Sequence, residues 1–404
     1  MSLSVPFFRP SIGEPEIREV VDVLQSGWLT TGPRVAAFET AFAAAVGAPY
    51  AVALNSATAA LHLAVEALGL ARGQGVLVPT MTFAATAEVV RYMDAVPILV
   101  DCDPMTLNID YDDAERKLAA AQAGRLSGIP GLKVVGVIPV HVGGVMVDLA
   151  ATRAFAERHG LWVVDDAAHA FPAAWRSNEK GAWVNCGADT ARVSCFSFYA
   201  NKTITTGEGG MAVTHDRVVA DRMRVMSLHG LSHDAWGRYQ SGGSWDYRIV
   251  APGFKYNLTD IAAAVGIHQL ARAEEMRASR ESLALEYLYR LSEVDGIELP
   301  SVVDHRIHAW HLFPIRLRLD QLTTDRATFI QELAVRGIGS SVHWRPLHLH
   351  PYYQEQFKWR AEDCPVASRE WERLVSLPLY PAMSNDEQRA VIDAVRDIGS
   401  ARRW

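Results

Sequence analysis

Cysteine is scarce in this chain, and its four cysteines are scattered. They are Cys102, Cys186, Cys195 and Cys364, with no Cys-x-x-Cys pair among them. This spacing indicates neither a disulfide framework nor a zinc site. We therefore expect a protein of a reducing compartment, without a metal ion.

Blocks of like charge and long apolar runs are also missing. The 404 residues include 39 basic and 46 acidic side chains, a net charge of −7. Phosphate recognition needs concentrated Lys and Arg, so a nucleic-acid binder is not favoured. No apolar run approaches the roughly 18 residues of a membrane helix, and the first residues do not resemble a signal peptide. We predict a soluble, cytoplasmic protein with no nucleic-acid or membrane partner.

Short apolar segments alternate with helical patterns through the first two-thirds of the chain. The predicted strands are Ala51–Leu54, Val76–Val78, Ile98–Val100, Val134–Val140, Leu161–Val164 and Ser194–Phe198, and the predicted helices include Thr58–Leu70 and Leu149–His159. Wholly apolar strands separated by helices indicate an α/β protein with a mostly parallel sheet covered on both faces. Ligands of such sheets bind beyond the carboxyl ends of the strands, so the polar residues found there should converge.

The chain changes character near residue 261. Ile261–Leu291 has the pattern of one long helical stretch, and a strand-like run from Trp310 and a helix at Arg326–Arg336 follow it. This order predicts a smaller α+β domain. We place the large domain, with an N-terminal arm, at residues 1–255 and the small C-terminal domain at residues 256–404.

A single lysine, Lys202, lies between the apolar segment Ser194–Phe198 and a glycine-rich turn. A lysine held just beyond a buried strand loses hydration, and this favours the neutral amine that can form a Schiff base. A lone loop lysine is more often a solvated surface residue. The nucleophilic interpretation therefore depends on the residues that follow the other strands.

Small polar residues lie at Ser56, Ala57 and Thr58, where a predicted strand meets a predicted helix. The free amides of a helix start, together with the helix dipole, form an anion site. This favours a phosphate bound by the Ala57 and Thr58 amides and nearby hydroxyls. An ordinary Ser or Thr helix cap would leave the same pattern.

Adjacent carboxylates, Asp165 and Asp166, end another buried strand. A carboxylate there can pair with a protonated ring nitrogen and make a cofactor ring a better electron sink, or it can cap the next helix. Because side chains alternate along a strand, only one of the two is expected to face the site. His169 either shares that side of the following turn or is a structural histidine.

Further polar and aromatic residues follow two of these strands. Phe83 can stack on a planar ring, although a core position is more common for Phe. Ser197 precedes Lys202 by five residues, so its hydroxyl can bind a phosphate while the lysine reaches an aldehyde of the same molecule. The glycines of the turn either let the backbone approach a ligand or form a hairpin: Gly207, Gly209 and Gly210.

These residues together match the needs of one cofactor. A phosphate cradle, a stacking ring, a carboxylate for the pyridine nitrogen and a Schiff-base lysine are what pyridoxal 5'-phosphate (PLP) requires. Their order also suits one edge of one sheet. We therefore predict that the cofactor is PLP.

With these motifs the chain resembles the DegT/DnrJ/StrS family of nucleotide-sugar aminotransferases, which has the aspartate-aminotransferase (type I PLP) fold. The resemblance extends through nearly the whole chain and includes Ser26–Pro33, Ser56–Leu61, Asp165–Ala170, Ser197–Lys202, Gly207–Gly210, Gly253–Leu258 and Ser376–Pro381. It implies a large PLP-binding domain with a mostly parallel sheet and a smaller C-terminal domain. It also implies a homodimer with the active site at the subunit interface.

The resemblance implies a role for each residue of the site. Lys202 is the expected Schiff-base lysine, Asp166 the partner of the pyridine nitrogen and His169 a neighbour of the ring hydroxyl. The remaining expected cofactor-binding residues contact the phosphate or the ring face, with Asn257 reaching the cofactor phosphate of the other subunit: Ser56, Ala57, Thr58, Phe83, Ser197 and Asn257.

Within this family, the chain is most similar to the members that form UDP-4-amino-4-deoxy-L-arabinose for lipid A modification. The similar stretches are Pro6–Pro10, Gly27–Gly32, Phe254–Asp260, His308–Phe313 and Arg336–Gly339. This likeness implies transfer of an amino group from L-glutamate to a nucleotide-linked 4-keto sugar, with UDP-4-keto-pentose as the first candidate. The candidate residues on the sugar side are Trp28, Thr31, His343 and His348.

Two departures from the pattern bear on the sugar. The chain has Asp165-Asp166 where Glu-Asp is frequent, and His343-Trp344-Arg345 where the arabinose enzymes tend to have His-Phe-Arg. The second segment lies in the sugar-binding region of the family. A 4-keto-6-deoxyhexose or a 3-keto sugar therefore stays open as the acceptor.

Three other functions fit parts of the pattern. The related PLP-dependent sugar dehydratases have histidine at the position of Lys202, which argues against that reaction. A non-catalytic regulatory protein of the same fold could lose Lys202 or Asp166, and this chain keeps both. An NAD-dependent reductase is disfavoured because no Gly-x-Gly-x-x-Gly follows an early strand.

Overall fold

Strands and helices alternate along the chain, and the structure, a computed structural model, describes residues 4–231 and 248–401. The strands in this part of the chain are β1 (Tyr50–Leu54), β2 (Gly75–Pro79), β3 (Val96–Val100), β4 (Val134–Val137), β5 (Trp162–Asp166), β6 (Ala174–Trp175), β7 (Val184–Asn185), β8 (Val193–Ser197), β9 (Gly210–Thr214), β10 (Ile297–Glu298), β11 (Arg306–Ile307), β12 (Phe313–Leu317) and β13 (Leu374–Leu377). The α-helices are α1 (Glu14–Ser26), α2 (Pro33–Val46), α3 (Ala57–Ala67), α4 (Ala85–Tyr92), α5 (Tyr111–Gln122), α6 (Leu149–His159), α7 (Arg217–Ser227), α8 (Asp260–Ala271), α9 (Ala273–Leu291), α10 (Arg326–Val335), α11 (Pro351–Phe357), α12 (Pro365–Arg373) and α13 (Asn385–Ala401).

A mostly parallel seven-stranded sheet lies at the centre, in the order β1-β9-β8-β5-β4-β2-β3. Only β9 runs antiparallel to its neighbours within this sheet. Alternate residues of one strand join different apolar clusters: Val76 and Val78 pack in one cluster and Leu77 in the other. Both faces of the sheet are therefore covered, which confirms the predicted α/β class.

The predicted strands are all present, with one shorter than expected. β4 ends at Val137 instead of Val140, because Pro139 has no amide to donate to a ladder. Val140 forms only an isolated bridge with Asp166. The predicted helix at Thr58–Leu70 begins one residue earlier and ends at Ala67, and the chain then turns at Gly69, whose φ is +76°.

The stretch predicted as one helix from Ile261 to Leu291 is two helices, and this prediction was wrong. α8 and α9 are separated at Arg272, which has φ −107° and ψ 8°. α8 packs on α1 and α2, whereas α9 packs on α13. The Arg272 guanidinium also donates to the Ser11 carbonyl at 2.9 Å and to the Glu16 carboxylate at 2.5 Å. Tertiary packing, without Gly or Pro, therefore breaks the helical pattern.

The C-terminal part contains the antiparallel sheet β10-β12-β13, packed with α9, α10 and α13 around its own apolar cluster. A third sheet, β11-β6-β7, joins a strand from this part to two strands from the first half of the chain. The division at residues 255 and 256 stays a prediction. Among residues 4–231 and 248–401, no helix is long and apolar enough to span a bilayer.

A buried carboxylate, Asp260, fixes the start of α8 against the start of α2. It accepts hydrogen bonds from the amides of Gly32 (2.8 Å), Arg34 (3.1 Å) and Val35 (3.0 Å). The first amides of a helix have no partner within the helix, so Asp260 satisfies donors that would otherwise be lost on burial. This contact positions residues 28–32 beside residues 257–260.

We predict that Asp260→Ala lowers the free energy of unfolding by about 2–4 kcal/mol, because three amides at the start of α2, including that of the buried Val35, lose a charged acceptor. Urea unfolding followed by circular dichroism measures the change. Asp110→Ala is the matched control: Asp110 caps α5 from a half-buried position, and its loss should cost about 1 kcal/mol. Equal effects of the two variants would contradict the role given to Asp260.

Candidate active site

A cavity of about 570 Å³ opens where β2, β5 and β8 end and α3 begins. The C-terminal part of the chain closes it from the other side. The residues used below that line it are Ser56, Ala57, Thr58, Phe83, Asp166, His169, Ser197, Lys202, Glu208, His311, His343 and Trp344. The predicted convergence at the strand ends is therefore present.

The start of α3 forms one wall of the cavity. Ser56 caps the helix, and its Oγ accepts the amide of Ala59 at 3.1 Å. The amides of Ala57 and Thr58 have no acceptor within the described residues. A helix cap and an anion site can therefore coexist here, because the Ser56 hydroxyl accepts one amide and leaves the amides of Ala57 and Thr58 free.

The close approach of β9 to this helix start depends on Gly210. A Cβ at Gly210 would lie 2.3 Å from the carbonyl carbon of Ser56 and 2.5 Å from the amide nitrogen of Ala57. Gly210 also pairs with Ser197 across the β8–β9 hairpin. The hairpin therefore brings Ser197 close to the helix start only because residue 210 has no side chain.

Asp165 and Asp166 point to opposite sides of β5. Asp166 lines the cavity, and its carboxylate accepts the Thr86 hydroxyl at 2.7 Å and the Ala168 amide at 3.2 Å. Burial raises the pKa of Asp166, while these hydrogen bonds and the charge of Lys202 act in the opposite direction. The Asp166 carboxylate would therefore be stabilised by a cationic ring nitrogen in the cavity.

Asp165 lies behind the cavity wall in a fully buried polar group. One of its oxygens, Oδ2, accepts the hydroxyls of Thr190 at 2.6 Å and Ser194 at 3.0 Å. The same oxygen is 3.7 Å from Nε2 of His141. These contacts make Asp165 a support of β5 and β8, and only Asp166 faces the site, as alternation along a strand predicts.

Lys202 lies in the loop of the β8–β9 hairpin and is half-buried. Burial lowers its pKa to about 8, and the attraction of Asp166 for the charged amine offsets part of this effect. A neutral amine is the form that attacks a carbonyl carbon. Lys202 therefore has a substantial neutral fraction at mildly alkaline pH, unlike a solvated lysine.

His169 is fixed in one tautomer by the backbone. Its Nδ1 accepts the amide of Gly143 at 3.3 Å, so the ring proton is on Nε2. The ring stacks on Trp344, with centroids 4.9 Å apart and planes at 21°. Burial and the charge of Lys202 lower the pKa of His169 well below its usual value. His169 is thus a neutral donor in the cavity.

Phe83 and Ser197 line the cavity, and neither side chain is fully engaged by neighbouring residues. The Phe83 ring is 63% exposed, which argues against the core position that is more common for Phe. The Ser197 hydroxyl accepts the amide of Tyr199 at 3.3 Å and lines the cavity. Both are available to a planar ligand with a phosphate.

Three other predicted residues line a second cavity, of about 830 Å³: Trp28, Thr31 and Asn257. They form a connected group, in which Asn257 Nδ2 donates to the Thr31 hydroxyl at 2.7 Å and this hydroxyl donates to the Leu258 carbonyl at 2.5 Å. Within one chain this cavity does not share its lining residues with the site at Lys202. The structure therefore does not bring these residues together with the others.

The two candidate histidines of the C-terminal part have different positions. His343 lines the cavity, and its Nδ1 is 2.9 Å from the Ser376 hydroxyl. His348 is fully buried outside it, and its ring nitrogens contact the hydroxyls of Thr80 (2.7 Å) and Ser368 (2.8 Å). Both polar atoms of His348 are therefore occupied, and the structure does not bring it to the cavity.

His311 and Trp344 also line the cavity, and neither was among the individual candidate residues, although Trp344 belongs to the segment noted for sugar binding. They come from loops of the C-terminal part, and no strand-end rule applies to such loops. His311 lies in a stretch, His308–Phe313, that was noted for its family likeness alone. Only the packing of the two parts of the chain brings these residues to Lys202.

The fold and the site define a PLP-dependent enzyme of the type I class. The free amides at the start of α3, the Asp166 carboxylate and the Lys202 amine lie around one cavity, and this donor set fits the phosphate, the ring nitrogen and the aldehyde of PLP. The lowered pKa of Lys202 fits the same chemistry.

Comparison with known proteins identifies the family. Residues 10–396 match the model of the DegT/DnrJ/EryC1/StrS aminotransferase family, and the chain belongs to this family, whose members are PLP-dependent sugar aminotransferases. It is 44% identical over 395 residues to the spore coat polysaccharide biosynthesis protein SpsC of Bacillus subtilis, covering 98% of this chain and 97% of SpsC.

Solved structures agree with this assignment. Spr1654 of Streptococcus pneumoniae, known in a PLP form and a PMP form, has a TM-score of 0.87 and 30% identity; the match covers 99% of this chain and at least 98% of the other. The sugar aminotransferase CalS13 of Micromonospora echinospora has a TM-score of 0.82 and 29% identity, with coverage of 97% and 99%. PLP is the cofactor of this fold and family.

We predict that cofactor-free protein reacts with PLP at a rate that rises with pH around a midpoint near pH 8 and then levels off at higher pH. The reason is that Lys202 attacks the aldehyde only as a neutral amine, and its lowered pKa sets the midpoint. Stopped-flow absorbance over a pH series measures this rate. A midpoint near 10.5, the ordinary value for lysine, would contradict the desolvation of Lys202.

We predict that Gly210→Ala weakens the binding of pyridoxamine phosphate about tenfold or more, because the added methyl group displaces the start of α3. Pyridoxamine phosphate has no aldehyde for Lys202, so a fluorescence titration isolates the phosphate site. The control is Gly131→Ala, whose Cβ would meet its nearest atom at 3.4 Å, an ordinary contact. Unchanged affinity in Gly210→Ala would refute the cradle.

Proposed function

We propose that this sugar aminotransferase transfers the amino group of L-glutamate to a nucleotide-linked 4-keto sugar, with UDP-4-keto-pentose as the first candidate. The observation that supports the transfer most directly is the Lys202 amine, whose pKa is about 8, in one cavity with the Asp166 carboxylate and a neutral His169. The proposed reaction needs a nucleophile, a carboxylate that keeps the cofactor ring nitrogen protonated and a neutral hydrogen-bond donor, and these three side chains fit those needs.

Each of these side chains has a proposed task. PLP, when bound, supplies an electron sink for the bond to the α-carbon of the amino donor. Lys202 would hold PLP and, once displaced by the donor, carry a proton from that carbon. Asp166 would keep the ring nitrogen protonated, and Nε2–H of His169 would orient the ring hydroxyl. Phe83 would cover one face of the ring.

The phosphate is proposed to bind at the start of α3. The free amides of Ala57 and Thr58 supply two donors, and the hydroxyls of Ser56 and Ser197 lie on the same side of the cavity. A phosphate there interacts favourably with the positive end of the helix dipole. A phosphate held there would leave the rest of PLP in the cavity that Lys202 also lines.

A homodimer is proposed, with each active site completed by the second subunit. Trp28, Thr31 and Asn257 form a hydrogen-bonded group on a different cavity of the same chain. A two-fold dimer would let this group face the Lys202 cavity of the partner. In that arrangement Asn257 would contact the phosphate, and Trp28 and Thr31 would contact the sugar.

The sugar is proposed to enter beside His343 and Trp344, which line the cavity from the C-terminal part. These residues belong to the segment that departs from the arabinose-forming enzymes, so a 4-keto-6-deoxyhexose or a 3-keto nucleotide sugar is the second candidate. SpsC is a spore coat polysaccharide biosynthesis protein, which favours a cell-surface polysaccharide at least as much as lipid A. A non-catalytic regulator is less favoured, because Lys202 and Asp166 lie in one cavity.

The test is a visible absorbance spectrum of the PLP-loaded protein, recorded before and after addition of L-glutamate and then of UDP-4-keto-pentose. We predict a band that bleaches with L-glutamate and returns with the keto sugar. Return with only a 4-keto-hexose or 3-keto nucleotide would redirect the acceptor assignment and keep the transfer.

Lys202→Ala is the control for this experiment. Without the Lys202 amine, PLP should still bind through its phosphate, but steady-state turnover should fall by at least about a thousandfold, because the nucleophile and the proton carrier are both lost. Asp110→Ala, a substitution far from the cavity, should leave the rate of bleaching unchanged. Turnover retained in Lys202→Ala would refute the assignment of the lysine.

A further inference from the structure

His311 is a buried histidine with no hydrogen-bond partner in the described part of the chain. Its side chain is 5% exposed and lines the cavity at Lys202. Neither Nδ1 nor Nε2 has an acceptor or donor among residues 4–231 and 248–401. Buried polar groups in proteins are normally paired, and one that faces a cavity without a partner indicates a group that a ligand would satisfy.

The backbone holds this imidazole firmly at the cavity. The amides of Ala309 and Leu312 donate to the carbonyls of Gly144 and Gly143, both at 3.1 Å. Gly144 has φ +105°, and a Cβ there would lie 3.0 Å from the Cβ of Ala309. Gly143 and Gly144 thus let the C-terminal segment pack directly on the loop after β4. This contact positions His311 at the cavity.

The neighbours of His311 are other basic side chains. Its ring centroid is 4.1 Å from that of His169. Burial lowers the pKa of His311 well below its usual value, and His169, Lys202, Arg280 and His343 act in the same direction. His311 is therefore a neutral imidazole with one N–H donor, in a region where an anion would be favoured.

The carboxylates and arginines nearby do not use this donor. Asp166 and Glu208 line the same cavity, but neither is among the groups that act on His311. Arg280 donates through Nη1 to the carbonyls of Trp310 (3.2 Å) and Leu379 (2.8 Å). Its Nε has no partner among the described residues, but Arg280 is not one of the residues that line this cavity. No arginine is among the described residues that line the cavity.

We propose that His311 binds a carboxylate of the amino donor by a hydrogen bond from its ring N–H. The inference rests on the proposed function, since that reaction needs a site for L-glutamate. In this assignment a neutral imidazole, with the cationic Arg280 guanidinium near it, takes the place of an arginine in the cavity lining. His311 is a binding residue for the donor and has no part in recognising the nucleotide.

The test uses the PLP-loaded protein and the first half of the reaction alone. L-Glutamate is titrated while the cofactor band is followed, for the wild type, His311→Phe and His311→Gln. We expect the half-saturating concentration of L-glutamate to rise about 10- to 100-fold in His311→Phe, because a hydrogen bond to a charged group is lost. His311→Gln keeps an N–H donor and should recover part of the affinity.

The matched control is His308→Phe. His308 is on the same segment, its Nδ1 accepts the amide of Trp310 at 2.7 Å and its ring stacks on Trp310, and it is not among the cavity-lining residues. This variant tests for loss of stability without loss of the proposed contact. Its half-saturating L-glutamate concentration should equal that of the wild type.

Two outcomes would overturn the inference while leaving the proposed function intact: an unchanged L-glutamate titration in His311→Phe, or weaker binding of PLP itself with an unchanged titration, which would assign His311 to the cofactor. Failure of the wild type to bleach with L-glutamate would refute the proposed donor instead. Repeating the titration with L-alanine and 4-aminobutyrate, which each lack one carboxylate, distinguishes the two ends of the donor. A penalty that persists only with L-alanine assigns the α-carboxylate, and one that persists only with 4-aminobutyrate assigns the other.

Discussion

The shared burial of Lys202 and Asp166 is the constraint on which the site depends. Burial destabilises the amine as a cation and the carboxylate as an anion, and each charge is stabilised in part by the other. The Lys202 amine and the Asp166 carboxylate would hold PLP at its aldehyde and at its ring nitrogen, where PLP would supply an electron sink.

The surrounding elements serve to place these two groups. β5 delivers Asp166 at its carboxyl end, and its other carboxylate, Asp165, holds β5 to β8 through Thr190 and Ser194. The hairpin from β8 to β9 delivers Lys202, and Gly210 lets that hairpin lie against α3. Asp165 and Asp166 are adjacent in one strand but have different roles, because alternate side chains of a strand face different surroundings.

The first part of the chain forms most of the cavity, and the C-terminal part contributes basic side chains to its lining. His311 and His343 bring ring nitrogens, and Trp344 holds the His169 ring by stacking. Since His169 is fixed as a neutral donor by Gly143, the cavity has donors on several sides and few carboxylates. Such a cavity favours anionic ligands, as the proposed phosphate and carboxylate contacts require.

The sequence by itself determined the α/β class, the strands that end at the site and the convergence of Asp166, Lys202 and the start of α3, because apolar periodicity and strand-end chemistry are local properties. It did not determine the break between α8 and α9, the displacement of His348 from the cavity or the presence of His311 there. These depend on contacts between segments far apart in the chain, such as Arg272 with Glu16 and Ala309 with Gly144. Local patterns do not encode such contacts, and only the packed tertiary structure decides them.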